Sequence, residues 1–147
     1  MSGRLTHTAL RSLDWLMSKV PIRNAGPSHL RTGRRGEEDT YFFLRRMGYV
    51  MVARNFRSPR RRGEIDLIGW DKNVLCFIEV KTRTSHAVKP AEAAVDLHKK
   101  KELSAVAREY LRHLPPDCAC RFDVISVYYE SPGNPTFEVF RNAFAMS

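Results

Sequence analysis

Three charged residues, Asp66, Glu79 and Lys81, interrupt two otherwise apolar runs, Gly63-Glu64-Ile65-Asp66-Leu67-Ile68 and Phe77-Ile78-Glu79-Val80-Lys81. A lone charge is costly to bury, so charges in such runs are usually paired or hold a metal. Two carboxylates beside an ammonium make a site for a hard divalent cation. Mg²⁺ and Mn²⁺ prefer oxygen ligands and keep several waters. Asp66 and one oxygen of Glu79, with the Val80 carbonyl, are the expected ligands. The ion would polarise a phosphoryl oxygen and help generate hydroxide. Lys81 would orient the attacking water or stabilise charge developing on the phosphate. The competing reading is a buried ion pair, in which Lys81 neutralises Glu79 and Asp66 caps a turn.

The elements that must position these groups are legible. Glu64 to Trp70 and Val74 to Lys81 read as strands, rich in Ile, Leu, Val, Phe and Trp. Asp71, Lys72 and Asn73 carry turn chemistry between them. If Trp70 pairs with Leu75, the same antiparallel register sets Asp66 opposite Glu79, and opposed residues share a face. Glu79 and Lys81 alternate with Val80, so they share that face as well. A slip of a single residue would turn Asp66 away, so the site requires this register.

With these residues in view, GEID followed by IEVK resembles the PD-(D/E)xK signature of the restriction-endonuclease-like superfamily, with Ile65-Asp66 in place of the leading Pro-Asp. More closely, the chain resembles the YraN-like family of uncharacterised bacterial proteins, related to archaeal Holliday-junction resolvases. The matching stretches are Gly33-Arg34-Arg35-Gly36-Glu37, Gly48-Tyr49, Asn55-Phe56-Arg57, Gly63 to Ile68, Phe77 to Arg83 and Arg121-Phe122-Asp123-Val124. The resemblance implies a nuclease-like core and nucleic-acid binding. It matches Asp66, Glu79 and Lys81 to a catalytic trio and Glu37 to an acidic residue on the first helix, an added metal ligand. It also sets Lys99 against a basic residue on the helix after the core strands, although this chain reads Asp96-Leu97-His98-Lys99 where relatives carry a Pro and a basic residue. A resolvase-like cut on both strands implies a homodimer. An exposed apolar strip on the last strand is the expected interface.

The net charge of +9 on 147 residues calls for a polyanionic partner. Arg54, Arg57, Arg60, Arg61 and Arg62 crowd into the segment just before Asp66. Arginine forks match phosphate geometry, so this loop would lead a nucleic acid to the site. DNA is preferred over RNA as that partner. Cys76, Cys118 and Cys120 are odd in number and follow no secretory signal, which fits a reducing cytoplasm. Cys118-Ala119-Cys120 with His113 lacks the spacing of a zinc site. No apolar run approaches the ~20 residues a membrane span needs.

The chain divides into residues 1–30, an N-terminal extension, and residues 31–147, the nucleic-acid-binding domain. Thr8 to Val20 could form a short amphipathic helix that Pro21 stops. A helix is expected from Gly36 to Met47, with Glu37, Glu38 and Asp39 in its first turn, where the macrodipole favours acids whether or not they bind metal. Tyr49 to Asn55 follows as a strand, before the two central strands. Thr82 to Lys89 reads as a polar loop over the site, carrying Arg83 to the nucleic acid and His86 into solvent. Pro90 to Leu114 reads as a helix with an apolar stripe that includes Leu97, Leu103, Val106 and Ala107, and with Lys99, Lys100 and Lys101 on a basic face. Two strands, Arg121 to Tyr128 and Phe137 to Phe144, complete the chain, with Asp123 paired to an arginine. The expected fold is α/β: a restriction-endonuclease-like αβββαβ core, a mixed central sheet flanked by helices, and an extra C-terminal strand.

Two function classes follow. The first is a Mg²⁺- or Mn²⁺-dependent endonuclease that hydrolyses phosphodiester bonds of branched or single-stranded DNA. The second is a non-catalytic nucleic-acid-binding module with a nuclease-like fold. Binding alone has no need of Asp66, Glu79 and Lys81 buried together, which favours the first.

Overall fold

The computed structural model describes residues 28–83, 95–130 and 134–147. The expected helix over Thr8–Val20, His86, Pro90 and the turn at Pro132-Gly133 lie outside these residues. In chain order the elements are α1 (Ser28–Arg46), β1 (Val50–Arg57), β2 (Glu64–Asp71), β3 (Val74–Arg83), α2 (Leu97–Leu111), β4 (Cys120–Tyr128) and β5 (Thr136–Phe144). The strands form one sheet in the order β1-β2-β3-β4-β5. Neighbours pair antiparallel except β3 and β4, which run parallel and are joined through α2. A parallel pair needs such a crossover, because a tight hairpin cannot return the chain in the same direction. The result is the expected mixed α/β sheet with helices on both faces and a C-terminal strand.

Alternation along β3 divides the core. Leu75 and Phe77 point to one face, where α2 brings Leu103, Val106 and Ala107 against them with Ile65, Ile68, Phe122 and Val124. Cys76 and Ile78 point to the other, where α1 brings Tyr41 and Leu44 against them with Met51, Leu67 and Ile125. A period of two on the strand thus buries both faces of the sheet.

α1 begins earlier than the sequence predicts, at Ser28 rather than Gly36. Gly33 and Gly36 both lie inside the helix, at a cost of about 1 kcal/mol each relative to Ala. Once the Tyr41 and Leu44 half is docked, however, each added residue gains a hydrogen bond for one residue fixed. Gly36 is also needed where it is: a Cβ there would collide with Thr82 Oγ1 on β3. The helix ends as expected at Gly48 (φ 95°). Tyr49 N–H donates to the Leu44 carbonyl at 3.0 Å and Gly48 N–H to the Arg45 carbonyl at 3.0 Å, a Schellman closure.

α2 starts at Leu97, not Pro90, because Asp96 is its N-cap: extended backbone, with its carboxylate accepting from Lys99 N–H at 2.8 Å. Leu97, expected in the apolar stripe, is 66% exposed, while Ser104 is buried. Thr82 and Arg83 belong to β3 and not to a loop, since β4 extends the ladder through Thr82↔Val127 and Arg83↔Tyr128. The apolar strip expected on β5 is not exposed: Phe137 and Val139 pack on the α1 side and Phe140 and Ala143 on the α2 side. Phe137 stacks on Phe43 with ring centres 4.2 Å apart.

Candidate functional site

The β2–β3 hairpin has the predicted register, from Asp71↔Val74 through Trp70↔Leu75 to Leu67↔Ile78. Its regular pairing stops at Leu67↔Ile78, one step short of Asp66 and Glu79. There the Asp66 side chain replaces the ladder: Val80 N–H donates to Asp66 Oδ2 at 2.8 Å. On the other side of β2, the β1 register runs Arg54↔Leu67 and Phe56↔Ile65, which brings Asn55 across from Asp66. Asn55 has φ 49°, a left-handed conformation that Asn tolerates better than most residues. Strict alternation breaks here, for Ile65 and Ile68 both join the α2 side. A carboxylate thus sits where two strands part.

Glu79 is 5% exposed and lies on the α2 face. Lys81 Nζ is 3.3 Å from Glu79 Oε1. The Lys99 ammonium, from the first turn of α2, pairs with that same oxygen. Among the described residues Glu79 Oε2 is buried without a hydrogen-bond partner. The trio expected from sequence is therefore together, and Lys99 joins it. Burial and the Glu79 charge, aided by Glu37, push the Asp66 carboxyl up to about 8, against the opposing Val80 N–H and the Lys99 charge. Burial would lower the Lys99 ammonium, but its contact with Glu79 and the charges of Glu79 and Asp66 outweigh that and raise it.

Glu37 approaches from α1. It lies well inside the helix, so the first-turn explanation for an acid at this position falls away. Asn55 Nδ2 donates to Glu37 Oε2 at 2.8 Å and to Glu64 Oε1 at 2.8 Å. Arg57 pairs with the other oxygen of Glu64. Burial raises the Glu37 carboxyl, opposed by the Asn55 hydrogen bond and reinforced by the charges of Glu64 and Glu79. An open cleft of about 460 Å³ runs between α1 and β3, lined by Thr32, Gly33, Glu37, Val80, Lys81 and Thr82. Among the described residues no three Asp, Glu, His or Cys side chains form a ready-made metal cluster. The donor set still fits Mg²⁺ or Mn²⁺, which take one or two carboxylates and complete their shell with water and substrate oxygens. Asp66 and the unpartnered oxygen of Glu79 are such donors.

Sequence reasoning passes over Asn55, Glu64 and Asp96 as parts of the site. Each carries a local signal: Asn is depleted in strands, Glu64 follows the positive-φ Gly63, and Asp just before an apolar-periodic run is an N-cap.

The arginines separate into groups. The Arg54 guanidinium lies 4.4 Å from the centre of the Tyr41 ring on the α1 side. Arg60, Arg61 and Arg62 are exposed. Their loop is anchored by Ser58, whose hydroxyl accepts from Arg60 N–H at 3.1 Å, and by Gly63 (φ 102°) against Glu102 and Val106 of α2. Arg61 lies 4.0 Å from Glu109. Arg83 closes β3, with Nε and Nη2 buried and without a hydrogen-bond partner among the described residues. Asp123 accepts both Arg121 contacts, as an arginine-paired structural acid should. Burial pushes the Cys76 thiol up to about 12, which makes it inert. Among the described residues no helix is long and apolar enough to cross a membrane.

The family model described as "Uncharacterised protein family UPF0102" matches residues 36–127. A UPF0102 protein of Koribacter versatilis (strain Ellin345) is 48% identical over 142 residues, covering 97% of this chain and 96% of the relative. A UPF0102 protein of Solibacter usitatus (strain Ellin6076) is 44% identical over 113 residues, covering 76% and 84%. A third, of Chlorobium phaeobacteroides (strain BS1), is 46% identical over 96 residues, covering 65% and 75%. The matched region takes in every element from the middle of α1 to the end of β4.

Proposed function

Because this chain belongs to the uncharacterised UPF0102 family, its activity must be argued from its own side chains, and we propose that it is a metal-dependent nuclease acting on DNA. The observation that carries this reading is Glu79: a buried carboxylate with one oxygen unpartnered, beside an Asp66 whose carboxyl is pushed up by the same crowding. Natural proteins rarely leave a buried charged oxygen unsatisfied without a use for it. The resemblance of GEID and IEVK to the PD-(D/E)xK superfamily supports the same reading.

Mg²⁺ or Mn²⁺ held by Asp66 and Glu79 would polarise a phosphoryl oxygen and acidify a water. The chain supplies the rest. The Lys81 ammonium stands beside Glu79, where it can hold the attacking water and stabilise charge gathering on the phosphate. Asn55 fixes the Glu37 carboxylate at the cleft wall, where it can accept a hydrogen bond from water. Arg60, Arg61 and Arg62 hold backbone phosphates leading to the cleft, and Arg83 serves the same strand from the end of β3. Free thiols at Cys76, Cys118 and Cys120 agree with the cytoplasm as the working compartment. A homodimer would let two such sites cut paired strands.

A second reading, a binding module without hydrolysis, draws on one observation: two ammoniums of the chain itself neutralise Glu79 Oε1. One panel separates the two. Labelled duplex, single-stranded, flapped and four-way-junction DNA, with RNA alongside, are incubated with Mg²⁺, Mn²⁺ or EDTA and either the native protein or Glu79→Ala. Cutting that needs metal and is lost in the variant is the expected result. Salt-sensitive binding by both proteins with no cutting by either would favour the binding module.

A further inference from the structure

Glu79 Oε1 carries two ammoniums, and their origins differ. Lys81 belongs to the same strand and points along the same face, so its proximity follows from the strand itself. Lys99 arrives from another element across the face of the sheet. Its backbone is fixed by the Asp96 cap, through a contact that does not involve Glu79. Its side chain is 40% exposed, so it can withdraw to water without uncapping α2. Lysine suits such a role, being a compact, strongly hydrated charge on a flexible stem. The other oxygen, Glu79 Oε2, is left unpartnered.

We propose that Lys99 is a resident counter-ion of Glu79: through Oε1 it supplies the positive charge that a divalent cation would supply through Oε2, so that metal binding releases it by charge repulsion. This rests on the metal-site reading above. The apoprotein can then keep a buried Glu79 without unfolding, because the carboxylate is never left without a cation. Loading the site exchanges one cation for another, and the released ammonium remains on the first turn of α2.

Mn²⁺ titration of the full-length protein, followed by the loss of free-ion signal in electron paramagnetic resonance, tests the exchange. Native protein is compared with Lys99→Met, Lys99→Gln, Lys99→Arg and Lys101→Met, each first checked by thermal melting. Lys99→Met and Lys99→Gln should bind Mn²⁺ about tenfold more tightly, the order expected for releasing a charge-assisted contact. Lys99→Arg should stay near the native value. Lys101→Met, which removes the same charge from the same helix, should change affinity less than about twofold, because exposed charges are screened. In native protein with ¹⁵N-labelled lysine, Mg²⁺ should shift the Lys99 Nζ signal and leave that of Lys101 in place.

Equal Mn²⁺ affinity in native protein and both uncharged Lys99 variants would overturn the exchange while leaving the metal site standing. An equal gain in Lys101→Met would overturn it too, by showing a diffuse effect of net charge. A stationary Lys99 signal on saturation with Mg²⁺ would do the same even if the variants failed to fold. Absence of Mn²⁺ binding in every protein would remove the metal-site reading and this inference together.

Discussion

Two clusters of buried charge lie on the same sheet, and they are built to different standards. At one, Arg121 Nε donates to Asp123 Oδ1 and Oδ2 at 2.9 and 3.1 Å, and Asn142 N–H adds a bond to Oδ1 at 2.9 Å. The far side of the same guanidinium reaches Asp71 Oδ2 at 2.9 Å and the Tyr49 hydroxyl at 3.2 Å. Asp123, 1% exposed, has both oxygens engaged. At the other, Glu79 gathers two ammoniums on one oxygen and leaves the second bare, with Asp66 crowded beside it. Both clusters sit on β-strands, and both include residues the family resemblance picks out. What separates them is hydrogen-bond completeness. A fully satisfied network tightens a fold, whereas a partly satisfied one is retained where a ligand completes it.

The widest separation should come from removing one member of each. Glu79→Ala and Asp66→Ala should reduce metal-dependent cleavage below detection while melting close to the native protein. Arg121→Ala should strand two carboxylates and cost about 3 kcal/mol or more, the range for breaking one side of a buried pair. Urea unfolding of the two variants beside a cleavage assay checks both halves. If Glu79→Ala unfolds and Arg121→Ala does not, the roles assigned to the clusters are reversed.

Lys81→Ala comes next. Its ammonium shares Glu79 Oε1 with Lys99, so Glu79 keeps a counter-ion when it is removed. Cleavage should fall by about 10² or more, in line with loss of a group that positions or protonates. Mn²⁺ affinity should hold. A matching collapse of metal binding would instead place Lys81 in the support of the site and outside the chemistry.

The same criterion extends to the exposed loop. Arg60, Arg61 and Arg62 are exposed, and among the described residues the acid they meet is Glu109, 4.0 Å from Arg61. Replacing all three with Ala should leave stability within about 0.5 kcal/mol. It should also lower the dependence of log K on log salt by about one unit for each phosphate the loop no longer holds. Filter binding across a salt series reads this directly, and an unchanged slope would take the loop off the nucleic-acid path.

These contrasts show which parts of the molecule its sequence discloses. The β2–β3 register is readable because Asp71-Lys72-Asn73 marks the turn and alternation marks the faces, so local chemistry decides it. The Asp123 pairing is readable because a charge in an apolar strand demands a partner. The front of α1 is not, since Gly33 and Gly36 look like breakers until Thr82 is seen against Gly36, a contact between distant segments. The meeting of Lys99 with Glu79 is hidden for a related reason. It depends on where α2 begins, and Asp96 sets that point after a proline that reads as the earlier start. Glu37 falls on the expected helix but not in its first turn, and its link to Glu64 runs through Asn55, whose left-handed backbone no periodicity reveals.

The last contrast probes crowding at the splayed strands through pH. Asp66 has an ordinary value of 3.8 that the fold raises to about 8. Between those values the folded state binds a proton that the unfolded state releases. By linkage, Asp66 therefore makes stability fall as pH rises from about 4 to about 8, and adds no further slope above that. In EDTA, Asp66→Asn should lose this contribution. It should melt above the native protein at pH 8 and beyond, and the gap should close as pH falls toward 4. The Val80 N–H can still donate to the side-chain amide oxygen that the substitution leaves in place of Oδ2, so the ladder substitute survives the change. Asp123→Asn should not behave in this way. The Arg121 Nε–H is shared between both oxygens of the carboxylate, and the amide –NH₂ that replaces one of them cannot accept, so that variant should melt below the native protein at the same pH. Melting curves for the three proteins from pH 4 to pH 9 check the contrast. A parallel pH profile for native and Asp66→Asn protein would mean that Asp66 is ionised without penalty, and the splayed strands would then hold no charge in excess of what their own lysines balance.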